Sequence, residues 1–295
     1  MTFVVILVTI IILGSIGNII SILIWKYGKT SKTTNCKTYM WTLALNDLFI
    51  LLMLGTEYAF FTSGYYLRNK HDWICKPVLF FGMFSPQVSA WITVMIAVER
   101  MLYVCVPLKM YKSNVKRRSI IAICCIILFS FALNVYVLST ASIIVSNENK
   151  TNCYLNINDV NKFDFKLLDA ISYGIFTFLL PLILITSSNI ITLVAICVWK
   201  RISQERTRQQ RSIKNITRIV ISISLLHCIS TCPYAAFMYT LNIASTTLLQ
   251  YQNLIYICYF LNSGLNCALY CLFEESFRND LKESITRLLN VFGLK

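Results

Sequence analysis

The sequence predicts an all-α membrane protein, a bundle of seven transmembrane helices followed by a short amphipathic helix, all within one domain over residues 1–295. Three observations predict it. The first is composition: 57% of the residues are hydrophobic, 14% are charged and the mean hydropathy is +0.64. That is more apolar surface than a soluble fold can hide. The second is a set of seven apolar runs at 3–25, 39–63, 75–106, 119–143, 168–199, 212–240 and 250–272, each long enough to cross about 30 Å of hydrocarbon. The third is where the positive charge falls. The 1/2, 3/4 and 5/6 connections and the tail hold 4, 5, 7 and 4 of the 27 Lys and Arg residues, and the other connections hold six. The positive-inside rule puts the richer set in the cytoplasm, with the amino terminus outside and the carboxyl terminus inside. The same placement accounts for the net charge of +14, so nucleic acid is not an expected partner.

Taken in order, the first span begins almost at Met1. A cleaved signal peptide is not expected, because the apolar run continues past Asn18 to a basic stop at Lys26. The second span carries Asp47 near its middle, in "LALNDLFILL", with no Lys or Arg in its own helix. Glu57 follows ten residues later, about 15 Å outward. In the third span Cys75 and Arg100 are separated by 25 residues, about 37 Å of helix, which links the two membrane faces. Pro86 inside it is expected to bend the helix.

The fourth span has no Trp and leads to an outer loop with Cys153 and the sequon Asn149-Lys150-Thr151. Ten of the twelve cysteines fall in spans or on the cytoplasmic side. Cys75 and Cys153 alone share the oxidising face, so a disulfide between them is expected. A second sequon, Asn215-Ile216-Thr217, would be cytoplasmic and inert. The fifth and sixth spans carry Pro181 and Pro233. The seventh, "FLNSGLNCALYCLF", sets Asn262, Asn266 and Tyr270 on one face at helical spacing. Residues 274–288 then place Phe277, Leu281 and Ile285 in line with Phe273. This is the pattern of a helix lying in the membrane interface.

A lone intramembrane carboxylate such as Asp47 must be protonated, enclosed by a hydrogen-bond network or matched by a cation. Asn18, Ser89 and the polar column of the last span offer amide and hydroxyl partners. A small cation site, with Na⁺ the abundant candidate, and a purely structural cluster both fit that pattern.

Taken together, "GSIGN", "LALND", "ERMLYVCVPLKM", "TCPYAAF" and "NSGLNCALY", in this order along the whole chain, resemble the rhodopsin-like G-protein-coupled receptors. The resemblance implies a multi-pass plasma-membrane receptor that binds an extracellular ligand and activates heterotrimeric G proteins. It implies that Glu99 and Arg100 match the Asp/Glu-Arg-Tyr motif, the acid holding the Arg at rest and the Arg meeting the G protein on activation. Tyr270 belongs to the same coupling machinery. It also implies that Asp47, Ser89, Asn262, Ser263 and Asn266 match the positions that hold an allosteric sodium ion. No other cofactor is expected.

Several positions depart from the pattern. Met101 replaces the Tyr after Arg100, Thr231 the Trp before Pro233, Asn189 a Tyr, and Ile213 an acid that some members carry. His227 stands where a Phe is usual and is expected to be a neutral, packed imidazole. Cys267 replaces the Pro of Asn-Pro-x-x-Tyr. Its N–H is then free to bond to the Ser263 carbonyl, so a straighter helix is expected there.

The position seven residues outward of Ser89, where a monoamine-sensing member would carry Asp, is Gly82. By correspondence the ligand cavity would be lined by Glu57, Met83, Gln87, Tyr234, Met238, Gln252 and Tyr256. Glu57 would receive a cationic group of the ligand, or else pair with Lys76. That lining resembles neuropeptide receptors of the somatostatin, galanin and opioid kind, so the expected ligand is a peptide or small molecule. The basic 5/6 connection is expected to touch anionic membrane lipid as well as a G protein. With two His, no metal-spaced Cys pairs and no Gly-rich phosphate loop, an enzyme is not expected. The alternatives are a divergent constitutive or decoy receptor, given the lost Trp and Pro, and a transporter or channel with Asp47 on its ion path.

Overall fold

A computed structural model of the chain describes residues 2–28, 36–106, 114–145, 151–155, 170–202, 221–231, 233–234, 251–273 and 275–291. Among these, five helices are long and apolar enough to cross a membrane, and a bent helix pair makes a sixth. The first is α1, Thr2–Tyr27, whose side chains Val5, Leu13 and Leu23 are exposed on the outside of the bundle. In a bilayer that surface meets lipid.

Helix α2, Lys37–Thr62, is wound as a π-helix over Ile50–Gly55. The Thr56 hydroxyl donates to the Leu52 and Met53 carbonyls of that stretch. Helix α3, Asp72–Cys105, runs through the bundle against α2, α4 and α5 and is the most buried span. Pro86 removes an N–H from its ladder, and beside it the Ser85 carbonyl accepts from the Asn46 side chain of α2 at 2.9 Å.

Helix α4 covers Val115–Asn134 and extends through a short turn to Thr140. Asn114 caps its start, accepting from the Arg117 N–H at 3.2 Å. The expectation of helix to residue 143 fails here. Ala141–Val145 form strand β1, paired antiparallel with β2, Thr151–Leu155, with Ile143 opposite Cys153. The β-branched run Ile143, Ile144, Val145 suits a strand, and its neighbours hold it as one. The Ile143 N–H donates to Asp72 Oδ1 at 3.1 Å, and the Cys153 N–H to Asn69 Oδ1 at 3.0 Å. Cys153 is joined to Cys75 by a disulfide with the Cα atoms 5.7 Å apart. The hairpin is thereby fastened to the outer end of α3.

Helix α5 starts π-wound over Ala170–Leu179 and continues as Leu180–Ile202. The indole of Trp91 on α3 donates to its Phe176 carbonyl at 2.9 Å. Of the sixth run, α6, Ile221–Thr231, is described. The last run is α7, Gln252–Gly264, and α8, Asn266–Phe273, bent by 49° between them. This overturns the expectation of a straighter helix without proline. The Ser263 carbonyl instead accepts from the Asn18 amide of α1 at 2.9 Å. Gly14 and Gly264 meet so closely that a Cβ on Gly14 would lie 2.8 Å from the Gly264 Cα. Tertiary contact with α1 thus sets the bend. Helix α9, Glu275–Val291, buries Phe277 and leaves Ile285 and Leu289 exposed along the same side.

The apolar core falls into separate clusters. An inner one joins Trp25, Met40, Leu43, Ile92, Tyr270 and Phe277, and an outer one joins Leu7, Ile11, Ile50, Leu51, Tyr58 and Phe260. A third underlies the hairpin around Cys75, Phe80 and Val137. On α2, the residue between Leu43 of the inner cluster and Ile50 of the outer one that carries charge is Asp47.

Candidate functional site

Asp47 is 1% exposed and points into the bundle. Its Oδ2 accepts from the Asn266 amide at 2.7 Å and its Oδ1 from the Ser89 hydroxyl at 3.3 Å. Ser263 is buried nearby on α7. The donors come from α3 and α8, so the carboxylate ties together elements far apart in sequence. Asn46, unremarked among the expected site residues, completes the group: its amide donates to Ser89 Oγ at 2.8 Å and so orients that hydroxyl. The signal for it was a second polar residue beside Asp47 in an otherwise apolar run.

The remaining residue of the expected ion set lies a step away. Asn262 Nδ2 sits 3.4 Å from His227 Nδ1 on α6 and bridges α7 to that helix. The side-chain oxygens of Asn18 and Asn266 are buried with no hydrogen-bond partner. Buried amide oxygens normally have one. Among the described residues there is no cluster of three or more His, Cys, Asp or Glu. The donor set is therefore one carboxylate with neutral oxygens, which matches a hard cation of low charge and not a thiolate- or imidazole-seeking metal.

Above this layer, a small cavity has Pro86, Tyr173, His227, Thr231, Tyr234 and Tyr259 among its walls. Thr231, in place of a bulky indole, leaves His227 as part of its lining. Tyr234 stacks on Tyr259 at 4.6 Å and meets Tyr256 edge-on at 5.4 Å. Tyr256 in turn stacks on Tyr58 at 3.9 Å. Gln252 opens α7 beside this chain of rings, and next to it Asn253 Oδ1 accepts from the Tyr58 hydroxyl at 3.4 Å.

Two expected cavity residues are turned elsewhere. Gln87 is fully buried toward α4, where its Oε1 accepts from the Asn134 amide, and Asn134 Oδ1 accepts from the Ser172 hydroxyl of α5 at 3.4 Å. A long amide finds a polar partner on the neighbouring helix more cheaply than an open cavity. Met83 packs into the apolar cluster beneath the hairpin. Glu57 pairs with Arg68 and not Lys76: Arg68 Nε lies 3.5 Å from Glu57 Oε1. The same guanidinium covers the Phe61 ring at 4.3 Å. Met238 and the sequon at Asn149 lie outside the described residues.

At the inner end, the expected pairing of Glu99 with Arg100 is replaced by another. Glu99 Oε1 accepts from Nη2 of Arg118, in the first turn of α4. Arg100 is 6% exposed, and its Nε and Nη2 atoms have no hydrogen-bond partner. Tyr270 is fully buried between Trp25, 5.4 Å away, and Phe277, 5.5 Å away.

Comparison with known proteins follows the same lines. The sequence model of the family "7 transmembrane receptor (rhodopsin family)" matches residues 17–270. The allatostatin-A receptor of Bombyx mori is 22% identical over 283 residues, an alignment covering 90% of this chain and 74% of that protein.

Proposed function

The chain belongs to the rhodopsin family of seven-transmembrane receptors, G-protein-coupled receptors and not enzymes, and from that premise we propose that its ligand is an extracellular peptide and that sodium tunes its response. In this reading the protein sits in the plasma membrane with its amino terminus outside. Ligand bound over the tyrosine chain stabilises a state whose inner end opens to a heterotrimeric G protein. The basic 5/6 connection faces that partner and the anionic lipid around it.

One observation carries the peptide reading. At Gly82, where a monoamine receptor would need a carboxylate, an added Cβ would meet nothing within 4 Å. The α3 wall there is open and uncharged, and Glu57 at the outer mouth is already held by Arg68. A ligand that reaches Glu57 must span from the mouth to the tyrosines, which suits an extended chain with a cationic group better than a compact amine. The similarity to a receptor named for the allatostatin-A peptide points the same way.

The sodium reading rests on Asp47 and the orphaned Asn266 oxygen. Asp47, Ser89, Ser263 and Asn266 would supply the ion's ligands, and Asn262 would relay its presence to His227. Nucleotide exchange by purified heterotrimers in proteoliposomes, driven by a peptide library and repeated with sodium replaced by N-methylglucamine, tests both parts. Activation by monoamines but by no peptide would overturn the first. Identical agonist affinity in the two salts would overturn the second.

A further inference from the structure

Helix α3 carries Gly82 and Pro86 one turn apart, about 6 Å along its axis. A proline has no N–H, so the carbonyl four residues before it loses its partner in the helix ladder. Here that carbonyl belongs to Gly82. Donors close by are committed elsewhere: Asn46 donates to the Ser85 carbonyl and to Ser89 Oγ, and Gln87 is turned toward α4. Gly82 has no side chain to cover its own carbonyl. It is half-buried, and an added Cβ would meet nothing within 4 Å. The α3 wall thus offers a bare backbone acceptor beside open space.

One turn inward, Pro86 lines the small cavity. The threonines there spend their hydroxyls on their own helices. Thr231 Oγ1 donates to the His227 carbonyl at 2.6 Å, and Thr177 Oγ1 to the Ser172 carbonyl at 3.1 Å. An occupant therefore meets the pyrrolidine ring, threonine methyl groups and the rings of Tyr234 and Tyr259. No Asp, Glu, Lys or Arg stands among the described walls, so a charged group would lose its water without a counter-charge. An uncharged apolar group gains by burial. We infer that Gly82 and Pro86 form a subsite for one residue of the peptide: the Gly82 carbonyl accepts its backbone N–H, and its uncharged apolar side chain enters the cavity beside Pro86. This rests on the peptide reading above and names the chemistry that the α3 wall selects, a backbone amide next to an apolar side chain.

The test takes the most potent peptide found when the library drives nucleotide exchange, together with analogues methylated at each backbone nitrogen in turn. Methylation at one nitrogen should lower potency several-fold on the unmodified receptor. Pro86→Ala returns an N–H to the Gly82 carbonyl. It should melt no lower than the unmodified receptor, because the helix regains a hydrogen bond, yet respond to the parent peptide several-fold more weakly. The two losses should not add: on Pro86→Ala the methylated analogue should match its parent. Gly82→Leu, whose side chain has room to cover the carbonyl, should give the same pattern. Thr231→Leu narrows the cavity, and the residue carrying the sensitive nitrogen should then be preferred as Ala over larger apolar side chains, a reversal of size preference that a misfolded variant would not show. Additive losses, a peptide with no sensitive nitrogen, an unmoved size preference in Thr231→Leu, or full potency on Gly82→Leu would each overturn the inference while the peptide reading stands. Exchange driven by no library peptide overturns the peptide reading and this subsite with it.

Discussion

The Asn18 amide donates to the Ser263 carbonyl across 2.9 Å, tying α1 to α7 at the point where the last transmembrane run bends by 49°. A backbone carbonyl released from its own helix is thus paired from a neighbouring one. Asn18→Ala would leave that oxygen buried and unpaired, at a cost of about 1–3 kcal/mol. Thermal unfolding in detergent should show the loss, and an unchanged melting point would mean that the bend does not depend on α1.

Glycine position gives a second contrast. A Cβ on Gly14 would lie 2.7 Å from Leu51 Cδ1 and 2.8 Å from the Gly264 Cα, whereas one on Gly82 would meet nothing within 4 Å. Gly14→Ala should therefore destabilise by about 1–3 kcal/mol through overpacking, and Gly82→Ala should be close to neutral or slightly stabilising, because alanine favours helix over glycine. Equal melting points for the two variants would contradict the packing described between α1 and α7.

Sodium should raise the melting temperature of the unliganded receptor relative to N-methylglucamine, since a ligand of the folded state stabilises it by mass action. Asp47→Ala should abolish the difference, and Asn262→Ala should retain most of it, because Asn262 contacts His227 and not the carboxylate. A sodium response that survives Asp47→Ala would place the ion elsewhere.

At the outer mouth, Arg68 occupies the carboxylate that a cationic ligand would need. Arg68→Ala should raise the potency of a cationic peptide by removing the internal competitor, and Glu57→Gln should lower it. Dose–response curves for a peptide and its Lys→norleucine analogue read the effect. Potency of the charged peptide that ignores both substitutions would remove Glu57 from the binding site.

The disulfide should matter as much as the helices it fastens. Closing a loop of 78 residues is worth roughly 4–5 kcal/mol by chain entropy, with measured losses of about 2–5 kcal/mol. Cys75→Ser, Cys153→Ser and the double variant should lose the same stability and the same ligand affinity. A double variant much worse than either single one would mean the thiols act separately.

The parts of this architecture that were legible in the sequence are those fixed by spacing within one element. Apolar run lengths delimit the described helices, and Asn262 and Asn266 stood out as polar residues in the last run, although the 49° bend between them sends Asn262 to His227 and Asn266 to Asp47. Ser89 and Asp47 stood out as polar atoms with nowhere else to go. What was not legible depends on which neighbour wins a competition. Glu99 had two arginines within reach, and the choice of Arg118 follows from where α4 begins. Gln87 could have faced the cavity, but Asn134 lies across the interface. The straight helix expected at Cys267 accounted for a backbone N–H and overlooked a side chain from α1. Residues 141–143 are as apolar as the helix before them, and their strand is imposed by Asp72, Asn69 and the disulfide.

Phe277 lies against both Trp25 and Tyr270, 5.4 and 5.5 Å away. Helix α9 is therefore bolted to the beginning and the end of the bundle at once. A spectroscopic label on its exposed edge, at Ile285 for instance, would act as a lever arm, reporting any rotation of Tyr270 from a site clear of the loops that an effector would cover.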